Sequence, residues 1–201
     1  GGEPARLTFH PAHDRVVGWT PDGKYILFVS LRGVNPELFG VPPGGGLEKR
    51  YPLDQVAYAS FSEDGKSVAL NRWNTDRMNW KGYRGGAQQD IFVADAAGIE
   101  WKKITDWPGY DNFPMWRGGQ IYFSSDREDG RMNIYAYDLA SGRTTRCTKH
   151  EDWDVEFPSI GGDRIVYGCR GYLYAYDIAK GKDERLSIEI PSDRRQMRDR
   201  T

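Results

Sequence analysis

Four times along its 201 residues the chain repeats one arrangement: an aromatic or apolar residue, a polar turn containing glycine, then an alternating apolar run. The copies read WTPDGKYILFVS at 19–30, FSEDGKSVALNR at 61–72, WRGGQIYFSS at 116–125 and IGGDRIVYGC at 160–169. A second short run follows each: ELFGV at 37–41, DIFVAD at 90–95, NIYAYD at 133–138 and YLYAYD at 172–177. A third, more polar run comes after it: LEKRYP, WKKITD, TTRCTK and DERLSI. Measured between Ile26, Val68, Ile121 and Ile165, the period is 42, then 53, then 44 residues. A repeat of that length means that one supersecondary unit is stacked on copies of itself, because a single unit cannot bury its own apolar faces.

Each unit offers four candidate strands, which in the third are Phe113–Trp116, Gln120–Ser124, Asn133–Asp138 and Arg143–Lys149. They are rich in Ile, Val, Tyr, Phe and Trp and are bounded by turn residues, the pattern of half-buried antiparallel strands. No stretch keeps an apolar spacing of three and four residues, so few helices are expected. Four strands per forty-odd residues is the arithmetic of a β-propeller blade. The fold expected is all-β: a propeller with complete four-stranded blades over about 14–56, 57–110, 111–153 and 154–190. Apolar residues such as Ile121, Phe123, Ile134, Tyr135 and Tyr137 should fill the space between blades. Gly2–His10 (GEPARLTFH) reads as one outermost strand of a fifth blade, and Pro191–Thr201 reads as a connector to a following domain. Rings close with about four to eight blades, so this chain is expected to be part of a larger one.

Lys+Arg 28 against Asp+Glu 29 gives a net charge of -1, which supplies no electrostatic case for nucleic acid or a membrane surface. No apolar run approaches the ~20 residues of a spanning helix. The two cysteines, Cys147 and Cys169, are placed in strands of different blades and form neither a disulfide scaffold nor a zinc motif. No cofactor and no metal site are expected.

Nucleophilic catalysis needs a Ser or Cys beside a base that a third group orients. The three histidines, His10, His13 and His150, accompany no strained nucleophile turn, so no catalytic residue is assigned to this chain. The acidic segments Ser125–Gly130 (SDREDG) and Lys149–Asp154 (KHEDWD) lack the alternating spacing of a calcium loop and read as polar hairpins. Asp14, Asp111 and Asp154 recur at blade boundaries, where they are expected to satisfy turn backbone groups.

The second unit is longer than the others by about ten residues, all within Asn71–Gln89 (NRWNTDRMNWKGYRGGAQQ). Arg72, Trp73, Arg77, Trp80, Lys81, Tyr83 and Arg84 concentrate aromatic and cationic groups there. Three uses are open: packing of the excursion onto its own blade, contact with a peptide or another domain, and binding of single-stranded nucleic acid. Of these residues, Arg72, Trp80, Lys81, Tyr83 and Arg84 are the candidates for peptide or interdomain contact.

The same segment, with WKGYRGG leading into Asp90–Asp95, resembles the six-bladed N-terminal propeller of tricorn proteases. The likeness continues through KKITD, IYFSSD, NIYAYDLASG and DRIVYGCRGYLYAYD, covering 57–190 well and 1–56 more loosely. The PDGKYILF-type turns are shared with many TolB-like and peptidase propellers. The resemblance implies a large, oligomeric, cytoplasmic serine peptidase that degrades oligopeptides, with its nucleophile in a C-terminal region outside this sequence. It implies that the propeller serves as a non-catalytic gate or channel for peptides and as an assembly surface, with oligopeptides and other domains of the same protein as partners. The sequence departs from the family at one place. Where tricorn-type propellers carry a basic pair suited to a substrate's carboxylate, this chain reads PAHDRVVGW, with Arg15 beside Asp14. That role is not carried over. The competing expectation is a stand-alone TolB-like propeller that docks a protein partner.

Overall fold

A computed structural model describes residues 3–73, 83 and 85–189. Among the described residues there are sixteen strands and no helix. They form four antiparallel sheets of four strands, each built from consecutive strands in simple meander order. The first holds β1 (Asp14–Trp19), β2 (Ile26–Ser30), β3 (Glu37–Val41) and β4 (Lys49–Arg50). The second holds β5 (Tyr58–Phe61), β6 (Ser67–Asn71), β7 (Phe92–Asp95) and β8 (Trp101–Lys103). The third holds β9 (Asp111–Arg117), β10 (Gln120–Ser125), β11 (Asn133–Asp138) and β12 (Thr144–Arg146). The fourth holds β13 (Glu156–Gly161), β14 (Arg164–Cys169), β15 (Tyr172–Asp177) and β16 (Lys182–Arg185). Cys147 lies one residue past the end of β12, and both cysteines are free.

The turn between the first two strands of a sheet is built the same way twice. Gly23 and Gly65 take φ of 68° and 70°, a left-handed conformation that glycine adopts without a Cβ penalty. The hydroxyls of Thr20 and Ser62 each donate to an aspartate, Asp22 and Asp64, at 2.7 Å. Each of those carboxylates accepts the amide of the lysine two residues on, at 3.1 Å. The hydroxyls in turn accept the amides of Tyr25 and Ser67. A T/S-x-D-G-K pentapeptide thus closes its own turn and fixes the register of the strands on either side.

Successive side chains along each strand alternate between the two faces of its sheet, and the buried ones form layers between sheets. Leu27, Val29 and Leu38 of the first sheet meet Ala59, Phe61, Val68 and Leu70 of the second. Ala69 and Ile91 meet Ile121, Phe123 and Tyr135 of the third. Met115, Tyr122 and Ile134 meet Ile165, Tyr167 and Tyr176 of the fourth. Each fully buried Leu, Ile, Val or Phe contributes about 1.5–3 kcal/mol relative to exposure, so these layers hold the sheets in sequence. Sheets packed face to face around an axis make an arc of a β-propeller.

The opening segment departs from expectation. Residues 3–10 form no strand, and no described strand lies alongside them as a ladder partner. Leu7 instead packs on Phe28, Phe39 and Val41 of the first sheet's outward face. Arg32 lies over the same face, its guanidinium 4.3 Å from the Phe39 ring centre and 5.6 Å from that of Phe28. Apolar area that would otherwise meet water draws in Leu7.

Candidate functional site

The first strand of every sheet, β1, β5, β9 and β13, lies innermost, and together these four line a cavity of about 720 Å³. Three of the four inner strands are bulged. In β1 the register slips at Val17, while β5 pairs with β6 without interruption. In β9 the pair Phe113–Pro114 faces the single residue Phe123, and in β13 Phe157–Pro158 faces Tyr167. Phe113 and Phe157 have φ of 56° and 47°. A left-handed aromatic residue is strained by about 1–2 kcal/mol. The proline that follows has no N–H for a ladder, which suits it to a bulge. A bulge of this kind redirects its side chain, and here both phenylalanines turn to the cavity.

At the end of the cavity where the inner strands begin, one side chain from each sheet joins a row. The Arg15 guanidinium lies 4.2 Å from the Tyr58 ring centre and donates to its hydroxyl at 3.0 Å. The same guanidinium donates to the carbonyl of Ala57 at 2.8 Å. Tyr58 and Phe113 are tilted rings 4.4 Å apart, and Phe113 meets Phe157 edge-on at 6.0 Å. Phe113 is buried by its two neighbours, whereas Phe157 is 63% exposed.

The opposite end is ionic. Arg117, the last residue of β9, donates to Asp163 at 2.9 and 2.6 Å and to Glu63 at 2.8 Å, so it ties the second and fourth sheets to the third. Between the two ends, Trp116 donates its amide to the Ser60 hydroxyl at 2.8 Å, joining neighbouring inner strands. The cavity therefore runs from a cation–aromatic mouth, past Val17, Ala59 and Ser159, to a mouth bearing the Glu63 carboxylate and the Arg117 guanidinium.

The candidates in the second-sheet excursion are only partly placed. Trp80, Lys81 and Arg84 lie outside the described residues, as does Arg77. Arg72 donates to the side-chain oxygen of Gln55 at 2.8 Å. It follows Asn71, which stands opposite Tyr58 at the start of β5, so the excursion leaves its sheet at the aromatic mouth. Tyr83 is about one-third exposed and lies against Gly85, where any Cβ would strike its ring and hydroxyl. Trp73 offers its carbonyl to Gln89 at 2.8 Å.

The boundary aspartates have two fates. Asp154 accepts the amide of Met132, as expected of a turn residue. Asp14 and Asp111 instead hold arginines, Arg32 and Arg127, from the ends of the neighbouring strands. In SDREDG, Asp126 accepts from the Trp107 indole and the Tyr110 amide, and Glu128 and Asp129 pair with Arg146. Away from the cavity, His150 approaches the Tyr167 hydroxyl at 2.9 Å, and that hydroxyl donates to Asp183 at 2.7 Å. Burial, followed by the neighbouring Asp183, pushes the Tyr167 phenol well up. This cluster joins the third sheet to the fourth.

Reading the inner strands as buried alternation did not single out Tyr58, Phe113 and Phe157, and the sequence comparison with the family set Arg15 aside. One signal in the chain could have done so: the Phe-Pro pair recurs at 113–114 and 157–158, the same 44-residue offset that separates Ile121 from Ile165.

An arc of four-stranded sheets around a lined axis defines a β-propeller domain. The chain belongs to the family of tricorn protease N-terminal β-propeller domains, whose family model matches residues 1–182. It is 28% identical over 200 residues to a tricorn protease homolog of Saccharolobus solfataricus, covering 96% of this chain and 18% of that protein. It is 30% identical over 187 residues to the tricorn protease of Thermoplasma acidophilum, covering 89% of this chain and 17% of that protein. The chain thus spans less than one-fifth of the length of these relatives. Among solved structures, TolB from Acinetobacter baumannii superposes with a TM-score of 0.73 at 23% identity, over 93% of this chain and 46% of that one. The crystal structure of the tricorn protease superposes with a TM-score of 0.55 at 20% identity, over 93% of this chain and 24% of that one.

Proposed function

We propose that this domain is a non-catalytic gate for oligopeptides within a tricorn-type serine peptidase, and that its sheet faces serve as assembly surfaces for other domains or for further copies. The observation that carries the reading is the axial cavity, to which all four sheets contribute an inner strand and in which backbone strain presents aromatic side chains. An extended peptide is narrow, apolar in part and charged at its ends. A cavity with an aromatic mouth and an ionic mouth offers such a chain both kinds of contact. Arg72, Trp80, Lys81, Tyr83 and Arg84 would be the residues of the excursion that meet a peptide or a neighbouring domain. A peptidase of this type would work in the cytoplasm, where oligopeptides accumulate from upstream proteolysis.

The test is occlusion. Gly18 lines the cavity, and space beyond its Cα is open, so Gly18→Trp places an indole across the axis without a clash at Cβ. Calorimetric titration of the intact chain with oligopeptides should show binding that Gly18→Trp abolishes while the thermal unfolding midpoint holds. Peptide binding unaffected by the indole would reject the cavity as the site. Absence of any peptide binding would favour a docking module for a protein partner.

A further inference from the structure

We draw no further inference here: the strongest candidate, the buried side-chain cluster of Asn71 and Asp90 at the root of the second sheet's excursion, where one oxygen of each has no hydrogen-bond partner among the described residues, builds no common site, because Asn71 is turned to the Asp111 carbonyl of the third sheet and Asp90 to Lys103 of its own sheet.

Discussion

The guanidinium of Arg127 meets both oxygens of the Asp111 carboxylate, with Nη2 at 2.9 Å from one and 2.8 Å from the other. Asp111 is fully buried, and the arginine also lies 5.1 Å from the Phe123 ring centre and 5.2 Å from that of Tyr135. Burial pushes the Asp111 carboxyl up, and Arg127 opposes that rise. Breaking a buried pair by removing one partner strands the other. Arg127→Ala should lower stability by about 3–5 kcal/mol. Asp111→Asn, which keeps a polar group in place, should cost less. Urea denaturation midpoints of the two variants compare them directly.

Arg117 also makes ion pairs, but in the open. Its partners Glu63 and Asp163 are more than half exposed, so water and salt screen them. Arg117→Ala should shift the unfolding midpoint only slightly, and raising the salt concentration should shrink the difference. An effect as large as that of Arg127→Ala would mean that this mouth is held more rigidly than its exposure implies.

Two glycines with nearly equal φ separate backbone strain from close approach. Gly65 has φ 70° and open space around it, whereas Gly98 has φ 74° and abuts the Pro52 carbonyl, which any Cβ would strike. Gly65→Ala should cost about 1–2 kcal/mol, the left-handed penalty alone. Gly98→Ala must also move the segment that links the first sheet to the second, and should exceed it by about 1–3 kcal/mol. Thermal unfolding of both variants under one buffer condition decides the order.

The repeated turn makes stability depend on acid. The hydroxyl of Thr20 and the amide of Lys24 pull Asp22 down to about 2, and Ser62 and the Lys66 amide lower Asp64 in the same way. A carboxyl whose folded value is depressed stabilises the fold above its ordinary value of 3.8 and loses that contribution as pH falls through the folded value. The unfolding midpoint should therefore drop between about pH 4 and pH 2. In the doubly substituted D22N/D64N chain it should drop less steeply over the same interval.

The sheets were readable from sequence because their determinants are local. The T/S-x-D-G-K turn closes on its own atoms, and the alternation of Ile121, Phe123 and Tyr135 needs only a period of two to place them between sheets. Residues 3–10 form no ladder among the described strands because pairing depends on a partner outside them, and Leu7 packs on apolar surface of the first sheet. The pairing of Asp14 with Arg32 and of Asp111 with Arg127 spans 16 to 18 residues and is fixed only once the inner strand lies beside its neighbour. The cavity escaped for a related reason. Arg15, Tyr58, Phe113 and Phe157 stand roughly one repeat apart, and Phe113 and Phe157 owe their direction to bulges that strict alternation does not contain.

Pro114 and Pro158 bear on what the free edge of an inner strand can pair with. Every inner strand is the rim of its sheet, and such a rim normally invites a passing extended segment to zip onto it as one more strand. A missing amide donor and a kinked register at two of the four rims interrupt that zipper where it would start. On the proposed gate reading, a chain moving along the axis would be held by side chains it can release one at a time, and the lining would serve as a bearing rather than a trap.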